Sequence, residues 1–145
     1  MAFDGIVTAA AAWELDQACT QGKIEKIYQP DKDELVFHIH TPKANLKLYL
    51  SCNPNHPGAY LIPTSPVNPQ EPGSFCMLLR KHLLGGRISA VHQVESERIL
   101  EVTLETRDEM NFRANKKLIV EIMGKHSNIV LLDLEKNRII DAIKR

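Results

Sequence analysis

The chain has 145 residues, 43% hydrophobic and 25% charged, and its 18 Lys and Arg balance 18 Asp and Glu for a formal net charge of +0. That length suits one domain with a genuine core, and the neutral balance excludes a strong non-specific polyanion binder while leaving room for a local basic patch. Three widely spaced cysteines, Cys19, Cys52 and Cys76, with no CxxC, argue against a disulfide framework or a cysteine metal cluster and read as buried free thiols in a reducing compartment.

In chain order, the first predicted element is a helix over 6–20, capped by Asp4 or Thr8 and ended by Gly22, with Val7, Ala11, Leu15 and Ala18 on one face. Its AAAAW run reads as a close-packing face rather than a membrane contact. The period then changes from 3.6 to 2. Leu35, Phe37 and Ile39 share one face of a strand; Leu46, Leu48, Leu50 and Cys52 share a face of the next, with Lys47 and Tyr49 opposite. Residues 30–33 and 41–45 read as turns. Six of the eight prolines fall within 53–73, so that stretch reads as one long surface loop with a short strand at AYLI.

A second helix is predicted from 75 to 84, capped by Ser74 and stopped by Gly85-Gly86, with Phe75, Leu78, Leu79, His82 and Leu83 facing the core. Strands follow over 87–94, 98–105, 117–123, 128–134 and 138–144. The last runs to Arg145 without a stop signal, which suggests a fragment of a longer protein. Two helices and roughly eight strands give an α+β domain, most simply a β-sandwich with flanking helices.

Candidate chemistry is sparse. His38 and His40 share a strand face, a spacing that can hold a metal, but no third ligand is marked nearby and two solvent-facing polar residues is the simpler reading. There is no P-loop, GxGxxG, GxSxG or HExxH, and no nucleophile stands near a base. The expectation is a non-enzymatic protein with no cofactor and no metal.

Charge placement says more. Residues 72–94 hold Arg80, Lys81 and Arg87 and no acid, so that stretch is either a solvated face or a phosphate-binding patch. In VESERILEV, Arg98 has the parity of Leu100, Val102 and Leu104, so its side chain emerges at a strand end by the rim of the core; the simplest role there is an arginine closing the core against Glu97 or Glu101. In MGKHSNIVLLD, Gly124 and Asn128 tolerate positive φ and mark a turn between two strands that leaves Lys125, His126 and Ser127 exposed. The N-terminus carries no basic, apolar leader, and no run approaches the ~18 apolar residues of a membrane span, so the reading is cytoplasmic, with no membrane partner.

AFDGIVTAA at 2–10, SFCMLLRKHLLGGRI at 74–88, ERILEV at 97–102 and LIVEIMGKHSNIVLLD at 118–133 resemble the N-terminal NFACT domain of the ribosome-associated quality-control family that includes RqcH and NEMF. Bacterial members also carry the name fibronectin-binding protein A. The resemblance implies a fold similar to the first domain of formamidopyrimidine-DNA glycosylases, a β-sandwich with two helices, followed in full-length members by helix-hairpin-helix, coiled-coil and RNA-binding domains. It implies binding to the large ribosomal subunit obstructed by peptidyl-tRNA, and recruitment of alanyl-tRNA for alanine tailing of the stalled chain. RNA would then be the partner for Lys125 and His126, as for Arg80, Lys81 and Arg87. An Asp-Arg pair tied in the family to tRNA binding matches Glu97-Arg98, with glutamate in place of aspartate, and GAYLIP lacks the basic residue expected in the proline-rich loop.

Three functions compete on this reading: a tRNA- and ribosome-binding module, a glycosylase-like DNA-binding domain, and a fibronectin-binding adhesin. Those glycosylases use an N-terminal proline amine followed by glutamate, whereas this chain begins Met1-Ala2-Phe3, and the absent leader argues against the adhesin.

Overall fold

The computed structural model describes residues 4–144; the chain start Met1-Ala2-Phe3 and the final Arg145 lie outside the described residues. Helix α1 spans Gly5–Cys19, with Asp4 as its cap: the Asp4 Oδ1 accepts from the Val7 N–H at 2.9 Å. One side of α1 buries Thr8, Ala12, Leu15 and Cys19. The alanine run packs only in part, because Ile6 and Trp13, on the opposite side, are 81% and 69% exposed.

The strands are β1 (Lys23–Asp31), β2 (Glu34–His40), β3 (Asn45–Ser51), β4 (Gly58–Leu61), β5 (Arg87–Gln93), β6 (Ile99–Glu105), β7 (Lys116–Glu121), β8 (Asn128–Asp133) and β9 (Arg138–Ala142), and α2 (Ser74–Leu83) lies between β4 and β5. Every pairing is antiparallel, in the order β4-β3-β2-β1-β5-β6-β7-β8-β9. The α+β class therefore holds, but the strands form one nine-stranded sheet rather than two separate ones.

The additional strand is β1. Its charged residues and Pro30 hide the alternation in the sequence. Pro30 falls in the irregular register between Tyr28 and Asp31, where β1 has already parted from β5, so its missing N–H breaks no ladder. Helix α2 covers the edge that β5 leaves: Cys76 N–H donates to Gln29 Oε1 at 3.1 Å, and Arg80 Nε donates to the Ile27 carbonyl at 2.8 Å. Ser74 is the first helical residue rather than the cap, which is Gly73.

The β1–β5 seam is short. Lys23 pairs with Arg87, and backbone bonds run from Ile24 N to Gly86 O, Gly85 N to Ile24 O, Ile88 N to Gly22 O and Gln21 N to Ile88 O, at 2.7–2.9 Å. Gly85 sits at φ +82°, and a Cβ on Gly86 would lie 2.8 Å from a Thr106 methyl, so the seam depends on glycine.

The sheet curls on itself. In a flat sheet β3 and β9, seven steps apart in the order above, would be separated by about 34 Å at ~4.8 Å per strand. Yet Lys144 Nζ, just past β9, donates to the Cys52 carbonyl, just past β3, at 2.8 Å. The apolar faces of the two halves consequently share one core, with Phe37, Leu50, Leu79, Leu100, Leu104 and Leu118 fully buried. The alternation in β2, β3 and β6 selects those faces as the sequence implies. The proline-rich segment contributes edge strand β4 and lies over the outer face of β2, where Ser65 Oγ meets His38 Nε2 at 2.9 Å.

All three cysteines are free and buried, and burial pushes the Cys19 thiol up to about 12 and the Cys52 thiol up to about 11. The thiolate is the reactive form. Native protein should therefore show no reaction with a disulfide reagent at neutral pH, and all 3 thiols should react after denaturation; fast labelling of the native chain would place a cysteine at the surface.

Candidate nucleic-acid interface

The turn after β5 is fixed by its backbone. Val94 N–H donates to the Ile99 carbonyl and Glu97 N–H to the Val94 carbonyl, both at 3.0 Å, and Glu95 takes φ +50°. The Gln93 amide then bridges two elements, with Nε2 donating to the carbonyls of Glu97 at 2.7 Å and Gly5 at 2.9 Å. A Cβ on Gly5 would stand 2.8 Å from the Ser96 carbonyl, so the start of α1 presses directly on this turn. On its other side the Arg98 carbonyl accepts from the Ile122 N–H at 2.8 Å.

Ile122 opens the β7–β8 connection, so that loop lies at the same end of the sheet. Its tip is a single 3-10 turn, Gly124–His126, with Gly124 at φ +59° as the sequence implies. Asn128, the other expected positive-φ residue, works through its side chain: Oδ1 accepts from Lys144 N–H and Nδ2 donates to the Lys144 carbonyl, both at 3.0 Å. Ser127 is buried rather than exposed, its hydroxyl accepting from Met123 N–H at 2.8 Å. Lys125 and His126 are exposed, as expected.

Arg98 and Glu97 are exposed as well. Leu100, Val102 and Leu104 point into the core, and Arg98 continues their row one step beyond the strand, where the core has ended. The core-closing ion pair does not form. Glu101 is instead held by His92 Nε2 at 2.7 Å and Lys117 Nζ at 3.2 Å. Among the described residues, the side chains of Glu97, Arg98, Lys125 and His126 have no hydrogen-bond or ion-pair partner. The fold thus fastens this rim through backbone and amide groups and leaves its charges unspent.

The remaining basic candidates do not join them. Arg87 pairs with Glu105 and Gln93 with Leu100, so Arg87 and the Arg98 turn lie at opposite ends of β5, about 20 Å apart at ~3.4 Å per residue. Lys81 is exposed on the last turn of α2. Arg80 is committed to the fold: besides its bond to Ile27, its guanidinium lies over the Tyr28 ring, 5.7 Å from the centroid. The acid-free stretch is therefore no continuous patch. Sequence reasoning passed over Arg107 and Arg113, which line one groove with Arg87, because Glu105, Asp108 and Glu109 are interspersed with them along the chain.

The histidine pair is accounted for locally. His38 meets Ser65 and the edge of the Tyr28 ring, and His40 Nδ1 meets Asn45 Oδ1 at 2.7 Å. Burial, with Lys47 and Lys26 nearby, pulls the His38 pKa below its usual 6.5. Among the described residues no three His, Cys, Asp or Glu side chains gather as metal ligands.

The family of NFACT N-terminal and middle domains matches residues 4–145, and the chain belongs to it. It is 42% identical over 144 residues to the Rqc2 homolog RqcH of Bacillus subtilis, covering 99% of this chain and 25% of that protein. It is 29% identical over 136 residues to ribosome quality control complex subunit 2 of Saccharomyces cerevisiae, covering 92% of this chain and 12% of that one. Among solved structures, the N-terminal domain of fibronectin-binding protein PavA from Streptococcus pneumoniae superposes with a TM-score of 0.95 at 39% identity, over 99% of this chain and 54% of that one. The chain spans about a quarter of the length of the bacterial relatives it matches.

These placements separate the basic residues by stability. Arg80→Ala should cost about 2 kcal/mol in urea unfolding, the scale of a charge-assisted hydrogen bond. Lys81→Ala, and Lys125→Ala with His126→Ala, should each stay within about 0.5 kcal/mol of the parent. An Arg80→Ala chain as stable as Lys81→Ala would return Arg80 to the free surface.

Proposed function

We propose that this domain is the tRNA- and large-subunit-binding module of a ribosome quality-control factor, with Glu97 and Arg98 at its tRNA contact. The carrying observation is an exposed guanidinium without a partner, held at a rigid rim by the Gln93 bridge and the Ile122 bond. Five donors in a planar fork suit a phosphate or a base edge, and the bonded backbone beneath Arg98 fixes where that fork is presented. Glu97 beside it can accept from a base amine or a ribose hydroxyl. Lys125 and His126, on the neighbouring loop, add cationic and donor character toward the same RNA.

Kinship with RqcH and with ribosome quality control complex subunit 2 supports this reading. The complete factor would act in the cytoplasm, bind large subunits obstructed by peptidyl-tRNA and recruit alanyl-tRNA for tailing. The domain itself would be a binding module, not an enzyme. A likeness to the first domain of formamidopyrimidine-DNA glycosylases would be one of fold alone and would carry none of their chemistry with it. Adhesion to fibronectin is the second reading, favoured by the name of the PavA structure.

In the full-length factor, Arg98→Ala should weaken tRNA co-purification at least about tenfold, matching the loss of one charge-assisted contact of about 1.5–3 kcal/mol, with the melting temperature unchanged. Glu97→Asp should retain binding and Glu97→Gln should impair it. Unchanged tRNA recovery with Arg98→Ala removes the site, and a collapsed melting temperature makes Arg98 a structural clamp. Retention on immobilised fibronectin but not with tRNA or large-subunit RNA would establish the second reading.

A further inference from the structure

The opposite end of the sheet carries a separate constellation. Arg87 at the start of β5, and Arg107 and Arg113 on the β6–β7 connection, line one groove together with Gly85 and Gly86. Arg107 and Arg113 face each other across an antiparallel bridge, an arrangement that places like charges directly opposite and opposes folding. Among the described residues none of the three guanidinium groups forms an ion pair with a carboxylate. Arg107 Nη1 donates to the Asn111 carbonyl at 3.0 Å and Arg87 Nη1 to the Gln21 carbonyl at 3.2 Å, which orients both and cancels no charge.

The nearby acids are otherwise occupied or unpaired. The Asp108 carboxylate caps its own turn, Oδ1 accepting from the N–H groups of Met110 and Phe112, each at 2.9 Å. Glu105 stands in register with Arg87 without closing on it. The groove therefore combines three guanidinium forks, two of them oriented by carbonyl bonds, with a single lining carboxylate, and Gly85 beside them leaves open space where a side chain would stand.

We propose that this groove is a second RNA-binding site, which takes successive phosphates of an RNA backbone on Arg87, Arg107 and Arg113. It lies about 20 Å from the Arg98 rim, on the geometry of β5 at ~3.4 Å per residue. The choice of RNA rests on the proposed ribosome-associated role; the preference for a phosphodiester rests on the forks themselves, which match phosphate oxygens in pairs. Unpaired opposed arginines cost the free domain stability, and a bound phosphate removes that repulsion. Occupancy and stability are thus linked.

The test is anisotropy of a short labelled single-stranded RNA with this chain across a salt series. Arg107→Ala with Arg113→Ala should weaken binding and flatten the log–log salt slope by about 1.4, at ~0.7 per single-strand phosphate contact. Arg113→Lys should keep the slope, because it keeps the charge. Without RNA at low salt, the double variant should melt no lower than the parent, since it removes a repulsion. Unchanged affinity and slope overturn the proposal, as does displacement of the RNA by an acidic peptide at equal charge concentration. If the double variant melts much lower, Arg87→Ala, outside the Arg107–Arg113 bridge, decides instead: a slope flattened by about 0.7 upholds the site and an unchanged slope removes it. Loss of tRNA with Arg98→Ala alongside an unaffected groove variant leaves the proposed function standing without this site; the reverse pair of results leaves the groove and removes the Arg98 contact.

Discussion

The β1–β5 seam is the constraint on which the rest of the fold depends. Only a few backbone bonds, around Gly22, Ile24, Gly85 and Gly86, join the two halves of the sheet. A long ladder would keep both halves in one twisted surface. A short one lets β1 and β5 diverge, and the sheet curls until the chain beyond β9 reaches the end of β3. That curl buries the alternating apolar rows of both halves against each other. It also opens the β1 edge that α2 covers, which is why Arg80 and Cys76 both find the Ile27 carbonyl.

Charge is distributed in keeping with that geometry. With 18 cationic and 18 anionic side chains in the chain, the described residues form few ion pairs; one, between Lys117 and Glu101, lies on a strand face where His92 meets the same carboxylate. Exposed pairs contribute little to stability, so the fold loses little by leaving charges unpaired. The turns at both ends of the sheet are instead held by groups that carry no net charge or by short capping carboxylates: the Gln93 amide, the Ser127 hydroxyl, the Asp108 carboxylate. Turns fixed at the backbone that carry guanidinium groups without a carboxylate partner suit the recognition of an external anion, because the charge is presented at a set place and is not already neutralised.

The family bond and the site argument are of different kinds. Identity along the whole chain and close superposition establish the NFACT fold. The site argument is local, because the bacterial relatives are about four times as long as this chain. The unpartnered arginines supply that local argument.

Sequence alone determined the local elements. The period-2 rows of β2, β3 and β6, the apolar stripe of α2, a cap at either Asp4 or Thr8 and the positive φ of Gly124 follow from side-chain alternation and backbone sterics, which act over a few residues. The motifs that resemble the NFACT family were equally legible, being contiguous runs. Tertiary structure decided the rest. Strand β1 was hidden because its pairing with β2 and its cover by α2 outweigh a proline that would weaken an isolated strand. The single curled sheet, in place of two sheets, follows from the length of one seam, which alternation cannot encode. The division of the basic residues between two ends of β5, and the gathering of Arg87 with Arg107 and Arg113, depend on antiparallel register, which sets residues far apart in the chain side by side and neighbours in the chain far apart.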